Sequence, residues 1–263
     1  VAANDGRGLR IIEPTARRIT IVDDAYRDAI AWLDFAEDGR LVASSIDGGV
    51  RLYDAAFKRL ATWRAPVGEK PWGVAFSRDG QKVAVGFLAG AKVAVLSAQD
   101  LKPLQELKGQ EGRAGGLSAV AWAEDGKSLY GAGTYGEPSG RKLVRRWPFA
   151  GGKVADIPAG DDTVSDVKAL PGGGVVYATA EPAWGLIGAD DKPGRRQGRV
   201  QADFRDGYAG GFTVSPDGSS AETSFTSASF ITKAADAMST AMMPRRMSVM
   251  PPPGRMGRLL SLV

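Results

Sequence analysis

The chain has 263 residues, with 34 Lys and Arg against 30 Asp and Glu, and it contains neither cysteine nor histidine. Without cysteine there is no disulfide framework, no thiolate nucleophile and no cysteine-ligated metal site; without histidine there is no Ser-His-Asp triad and no imidazole acid or base. The composition therefore favours a protein that is not an enzyme and that takes no metal and no cofactor.

The positive charge is concentrated near the carboxyl end. Residues 219–263 contain five basic and two acidic side chains, so residues 1–218 are nearly neutral. The doublets Arg195-Arg196 and Arg245-Arg246 lack the interleaved aromatic residues that single-stranded nucleic-acid surfaces use. No apolar run reaches the roughly 18 residues that a membrane span needs. We expect neither nucleic acid nor membrane as a partner.

The amino terminus carries no signal-peptide pattern, because Val1 to Asp5 has neither a basic nor an extended apolar region. The chain starts without Met, which indicates a processed product or a fragment. A soluble cytoplasmic protein is favoured, with an exported protein as the alternative.

Residues 1–27 are the first element along the chain and read as a partial repeat. Asp5-Gly6 is a turn signal that leads into a strand ending near Ile12, and Arg18 to Val22 reads as the next strand. We interpret this segment as the end of a repeat unit whose earlier strands are missing.

Five similar segments follow, each ending in a tight turn. Apolar residues five and three positions before the turn lie on one face of a short strand, and an apolar residue four positions after it opens a second strand. The turns are anchored at positions 41 to 47 residues apart: Asp38, Asp79, Asp125, Gly172 and Asp217. The apolar pairs are Leu33 and Phe35, Val74 and Phe76, Val120 and Trp122, Val167 and Ala169, and Phe212 and Val214.

Further strands complete each unit. In the first unit, Asp47-Gly48 leads into a third strand that ends at Tyr53, and a fourth strand is predicted over residues 59–63. Third strands are also predicted at residues 92–96 and 142–147. Four short antiparallel strands in this period are typical of one propeller blade. The prediction is an all-β propeller of about five recognisable four-stranded blades, open or incomplete, over residues 1–218.

The segment from Asp34 to Asp54 resembles a blade of the WD-repeat family, with Tyr53-Asp54 where the family has Trp-Asp. The first hairpins around Asp79 and Asp217 are similar to those of the family, and the resemblance covers residues 28–218. The chain departs from the family in having no Gly-His element, so the hydrogen-bonded tetrad of the family is not carried over. The resemblance implies a rigid scaffold for protein–protein interaction, as the regulatory or sensing arm of a larger protein.

Residues 219–263 do not continue the repeat. All six Met residues, the run Pro251-Pro252-Pro253 and a Ser/Thr/Ala-rich stretch lie here, and we expect an irregular or disordered tail with a weak helical tendency over residues 233–243. Two origins stay open: a frame-shifted end of a longer propeller protein, or a natural low-complexity tail. In either case an orphaned blade edge would offer a site for self-association.

Three sequence patterns have a chemical and a structural interpretation. The segment from Gly131 to Gly136 matches GxGxxG, but Pro138 opposes the helix that a dinucleotide site needs, so a widened loop between strands is predicted. The Gly172-Gly173-Gly174 run is interpreted as a hairpin turn. The doublets Asp23-Asp24, Asp161-Asp162 and Asp190-Asp191 could ligate a hard cation, but solvated turn charges are the better interpretation.

The candidate interaction surface combines aromatic and basic residues near strand starts and inter-strand loops. Such residues are enriched at interface hot spots, and local packing of blade edges is the alternative. The candidates are Trp72, Tyr135, Trp184, Arg27, Lys70 and Arg141.

Two other functions stay open. The first is a propeller enzyme or small-ligand sensor, lactonase-like; three or more carboxylate or amide side chains meeting in one channel would favour the enzyme. The second is a non-functional truncated product.

Overall fold

The computed structural model describes residues 2–4, 8–13, 18–198, 212–215, 217–218, 220–222 and 229–231. These residues form antiparallel sheets and contain no helix, in agreement with the all-β prediction. Consequently no helix of the described residues is long and apolar enough to cross a membrane.

Four sheets of four strands each make up most of the described chain, and in each the strands are paired in sequence order. Sheet 2 contains β4 (Ile30–Phe35), β5 (Leu41–Ser45), β6 (Gly49–Tyr53) and β7 (Arg59–Arg64). Sheet 3 contains β8 (Pro71–Phe76), β9 (Lys82–Phe87), β10 (Lys92–Ser97) and β11 (Pro103–Lys108). Sheet 4 contains β12 (Ala119–Trp122), β13 (Ser128–Ala132), β14 (Lys142–Pro148) and β15 (Ala155–Gly160). Sheet 5 contains β16 (Val164–Ala169), β17 (Val175–Thr179), β18 (Ala183–Ile187) and β19 (Pro193–Gln197).

A three-stranded sheet lies at each end of this series. Sheet 1 contains β1 (Ala2–Asn4), β2 (Leu9–Glu13) and β3 (Arg18–Asp23), which confirms the two strands predicted in residues 1–27. Sheet 6 contains β20 (Thr213–Val214), β21 (Ser220–Glu222) and β22 (Ser229–Ile231). The repeated four-stranded sheets are blade-like.

The strands of sheet 6 correct the predicted boundary at residue 218. Two of them lie within the segment expected to be irregular, because Ala221 pairs with Val214 and with Phe230 despite the loss of strict alternation. Backbone pairing with a preceding strand can hold a short segment extended without strong side-chain propensity. The helical tendency predicted for residues 233–243 falls outside the described residues.

The Asp-Gly turns form for the reason that the sequence suggests. The Asp38 carboxylate accepts the backbone N–H of Arg40 at 3.1 Å, and Gly39 adopts a φ of 87° that favours glycine. In the next unit, Asp79 accepts the N–H of Gln81 at 3.0 Å. The hairpin register predicted from the anchors is therefore confirmed.

Most of the repeated apolar positions lie in the cores between sheets, but Leu33, Ala169 and Val214 are only partly buried and Phe35 is exposed. Val74, Val167 and Phe212 are buried, as are Phe76 and Trp122, so the core prediction is correct for these residues. Phe35 was also expected in the core, but 42% of its surface is exposed. It is the last residue of β4, where its ring meets the edge of Phe57.

The first strands of the four-stranded sheets contact one another in series: β4 contacts β8, β8 contacts β12, and β12 contacts β16. The approach is close between sheets 3 and 4, where the Gly73 N–H donates to the Ser118 carbonyl at 2.8 Å. A Cβ atom at position 73 would lie 2.3 Å from that carbonyl oxygen, so the absence of a side chain permits the contact. The four first strands consequently surround a common space.

The glycine-rich segment at 131–136 runs from the end of β13 into a loop between strands, as predicted. Gly131 and Ala132 end β13 and the loop leads to β14 at Lys142, so a strand rather than a helix follows the glycines.

Candidate functional site: a cavity between the first strands

The four first strands surround a cavity of about 190 Å³ that is open to solvent. We call it the inner-strand cavity. Each of the four strands contributes to its wall, which combines apolar residues with two acidic and two basic side chains. The residues that matter for its chemistry are Trp32, Asp34, Phe76, Trp122, Glu124 and Lys168, with Arg78 at the edge.

Asp34 is the carboxylate that β4 places in this cavity. It accepts the backbone N–H of Phe76, on the neighbouring β8, at 2.8 Å. Burial raises the pKa of Asp34, and the hydrogen bond from Phe76 and the charge of Lys168 offset this only in part. Among the described residues, no basic side chain pairs with Asp34 at ion-pair distance, so its charge is incompletely compensated.

Lys168 enters the same cavity from β16. Its ammonium lies 3.4 Å from a carboxylate oxygen of Asp166 and 5.3 Å from the centre of the Trp32 ring on β4. Asp166 is buried, which raises its pKa, while Lys168 and the N–H of Val167 favour its charged form. Lys168 therefore links the first strand of sheet 5 to the first strand of sheet 2, and Asp166 supplies its counter-charge.

Three charged residues from successive hairpin turns lie beside this cavity, and we call them the charged mouth. Arg78 pairs with Glu37 at 2.8 Å and lies 3.7 Å from Glu124, which joins the turns of sheets 2, 3 and 4. All three side chains are largely exposed, with 58% of the Arg78 side chain accessible to solvent. Exposed pairs of this kind contribute little to stability, so their charges are available to a partner.

An exposed aromatic residue lies close to the same turns. Phe149 stacks on the cavity residue Trp122 with ring centres 5.2 Å apart, and the ammonium of Lys82 lies 6.0 Å from the Phe149 ring. The Phe149 N–H donates to the carbonyl of Lys127, which fixes it beside the turn of sheet 4. An aromatic ring beside charged residues is the composition of an interface hot spot.

The sequence contained an unused signal for this site. Four residues before the first four anchors stand Asp34, Ala75, Ala121 and Lys168, so two of these units carry a small residue where the other two carry a charge. A charge at a repeat position that is otherwise alanine indicates a role other than packing. The apolar pairs predict core positions, and the smaller or polar residues between them lie on the opposite face of the strand.

The structure corrects the aromatic part of the predicted interaction surface. Tyr135 is fully buried, because its hydroxyl accepts the N–H of Gln110 and donates to Asp156, both at 3.0 Å. Trp184 is also buried, because it packs in a cluster with Phe212. The alternative of local packing is therefore the better account of these two rings.

The other predicted surface residues are dispersed. Trp72 is half-buried in β8 and packs against the core of sheets 2 and 3. Arg27 precedes β4, Lys70 precedes β8 and Arg141 precedes β14; all three are exposed. The six residues do not form one exposed aromatic and basic patch.

A buried charged cluster joins sheets 1 and 2, and it corrects the interpretation of Asp23 as a solvated turn charge. Asp23 pairs with Arg51 at 3.0 Å and accepts the Tyr53 hydroxyl at 2.8 Å. Burial opposes its ionisation, but the hydrogen bonds from Ala25 and Tyr53 and the charges of nearby arginines together lower its pKa. The guanidinium of Arg51 also lies 3.6 Å from the centre of the Tyr26 ring, whose burial raises the pKa of Tyr26 to about 12.

The other acidic doublets follow the turn interpretation in part. Asp161 and Asp162 are exposed, and Asp190 accepts the N–H of Lys192. Asp191 differs because it pairs with Arg146 of the preceding sheet at 2.5 Å. Within the described parts of the chain, no group of three or more acidic side chains is arranged to hold a metal ion.

Comparison with models of known protein families gave no match, and comparison with curated proteins gave no significant match. The function is therefore inferred from the site itself.

Proposed function

We propose that this chain is part of a WD-repeat-like β-propeller that acts as a protein-interaction platform, in the manner of a regulatory or sensing arm. The observation that supports the proposal best is the series of blade-like sheets whose first strands contact one another around the inner-strand cavity. Such an arrangement presents the hairpin turns of successive sheets on one surface, as the Arg78 contacts with Glu37 and Glu124 illustrate.

The surface that we assign to the partner consists of the charged mouth and Phe149. Rigid strands position these residues, and rigid positioning lowers the entropic cost of binding. The exposed charges favour steering and specificity, and Phe149 supplies apolar area. This surface replaces the one predicted from Trp72, Tyr135 and Trp184.

The enzyme alternative has less support. It requires three carboxylate or amide side chains in one channel, and the wall of the inner-strand cavity contains two carboxylates, Asp34 and Glu124. The small-ligand alternative retains a specific observation in its favour, the incompletely compensated charge of Asp34.

The platform is tested by site-specific photo-crosslinking in cells. A photoreactive amino acid at Phe149 should give a discrete crosslinked protein, whereas the same amino acid at Thr62, exposed on the outer strand β7, should not. Adding Arg78→Glu should abolish the Phe149 product, because it places three acidic side chains side by side. The control Lys102→Glu reverses the charge of an exposed residue away from the mouth. Crosslinks that are equal at both positions, or that survive Arg78→Glu, would contradict the proposal.

A further inference from the structure

The inner-strand cavity has one charge without a direct counter-ion. The charge of Lys168 is matched by Asp166 at 3.4 Å, and that of Arg78 by Glu37 at 2.8 Å. Glu124 lies 3.7 Å from Arg78. Among the described residues of the cavity, Asp34 is the charged residue that is left without an ion pair. It accepts a hydrogen bond from the backbone N–H of Phe76, and the charge of Lys168 favours its ionised form.

Burying such a carboxylate is unfavourable unless a positive charge reaches it. Asp34 keeps its position through a hydrogen bond that an uncharged asparagine could also accept, so the fold does not require the negative charge. A charge that the fold does not need, inside a solvent-open cavity, indicates a ligand that does need it.

The walls show which kind of cation the cavity accommodates. Trp32, Phe76 and Trp122 are among the residues that line this space, and all three are largely buried in the adjoining cores. Two of these rings already lie next to cationic groups of the protein, since Lys168 is 5.3 Å from the centre of Trp32 and the Arg40 guanidinium is 5.5 Å from that of Phe76. Aromatic faces together with a carboxylate select an organic cation over a hydrated metal ion, which prefers several oxygen ligands.

We propose that the inner-strand cavity binds an organic cation, an ammonium or guanidinium group on a short apolar stem, with Asp34 as its counter-ion. The stem lies against the aromatic wall, and the cationic end forms a charge-assisted hydrogen bond with the Asp34 carboxylate. Glu37 and Glu124 at the mouth raise the local concentration of cations. The cation can come from a small amine or from a basic side chain of a protein partner.

The test is an NMR titration of the full chain that follows the indole signals of the cavity tryptophans. The probes are n-butylammonium and its neutral analogue 1-butanol, with the peptides acetyl-Gly-Lys-Gly-amide and acetyl-Gly-Gln-Gly-amide to separate the two sources. We expect n-butylammonium to bind with a Kd on the order of 1 mM, as a five-heavy-atom ligand allows, and 1-butanol to bind at least tenfold more weakly. Binding of the lysine peptide as well identifies a basic side chain as ligand, and binding of the amine alone identifies a small molecule.

Two substitutions make the assignment specific. Asp34→Asn should weaken n-butylammonium binding at least tenfold, whereas Asp100→Asn, which removes the same charge from an exposed turn, should leave it unchanged. Lys168→Met should strengthen binding several-fold, because it removes a competing positive charge, and a purely structural Asp34 would not show this effect. The proposal is overturned if neither n-butylammonium nor the lysine peptide binds. It is also overturned if 1-butanol binds as tightly as n-butylammonium, or if Asp34→Asn leaves the affinity for n-butylammonium unchanged. Because the readout is cation binding, its failure leaves the crosslinking test of the platform unaffected.

Discussion

The ammonium of Lys168 on β16 lies 5.3 Å from the centre of the Trp32 ring on β4, so the first strands of sheets 5 and 2 are linked across the inner-strand cavity. The same ammonium compensates the buried Asp166 carboxylate at 3.4 Å. Lys168 thus supports both the sheet arrangement and the charge balance of the cavity.

We expect Lys168→Met to destabilise the protein by about 1 to 3 kcal/mol, because it removes a cation–π contact and leaves Asp166 buried without its counter-ion. Urea unfolding at pH 7 measures the loss. The control is Lys192→Met, which removes an exposed lysine that pairs with the exposed Asp190 and should change the unfolding midpoint little. Equal midpoint shifts in the two variants would show that the cavity contact contributes nothing.

Asp34→Asn should increase stability at neutral pH. The pKa of Asp34 is raised in the folded state above its ordinary value of 3.8, so the folded protein binds the proton more tightly than the unfolded chain does. The stability due to this proton is present in full below pH 3.8 and is lost as pH rises through the folded pKa. We therefore expect the unfolding midpoint of Asp34→Asn to exceed that of the unmodified chain at pH 7 and to approach it near pH 3. A variant that is less stable at pH 7 would show that the Asp34 charge serves the fold.

Asp23→Asn should have the opposite pH dependence. The pKa of Asp23 is lowered in the folded state, so its contribution is present above pH 3.8 and is lost as pH falls through the lowered value. At pH 7 we expect a loss of about 3 kcal/mol, because Arg51 keeps a buried charge without its nearest counter-ion. The neighbouring Asp24→Asn, at an exposed residue, should leave the pH profile of unfolding unchanged. A loss that persists undiminished at pH 2 would contradict the assignment to the charge of Asp23.

Gly73→Ala tests the close approach of sheets 3 and 4. A methyl group at this position would lie 2.3 Å from the carbonyl oxygen of Ser118, so the two first strands must separate. We expect a loss of about 1 to 3 kcal/mol in the free energy of unfolding, as is typical when atoms are forced into a packed interior. Gly198→Ala, where a Cβ meets no atom within 4 Å, is the matched control. Similar midpoints for both alanine variants would refute the close approach.

Residues with a repeated role were predictable from the sequence. Local rules predict the Asp-Gly turns at Asp38 and Asp79 and the burial of Val74 and Val167. The same pattern recurs in each unit, so the prediction for one unit supports the prediction for the next. The exposure of Phe35 was not predictable, because it depends on what covers the end of β4 rather than on the alternation within that strand.

The candidate site was harder to predict because its residues act between units. Asp34 and Lys168 are more than a hundred positions apart, and only the packing of β4 and β16 around one cavity brings them to it. Tyr135 shows the converse, since its position in a loop indicated exposure while hydrogen bonds with Gln110 and Asp156 hold it in the interior. Local sequence patterns contain no information about such long-range partners.

The distribution of charged and small residues around the inner-strand cavity, with Ala75 and Ala121 between Asp34 and Lys168, has a consequence for how a ligand is oriented. When similar repeats surround one cavity, a ligand can bind in several equivalent orientations, and the cavity then selects poorly between ligands. Ala75 and Ala121 offer no polar side-chain contact on two of the four strands. Asp34 and Lys168 place opposite charges on the other two. The symmetry of the repeat is thereby broken at this position, and we expect the proposed cation to bind in one orientation.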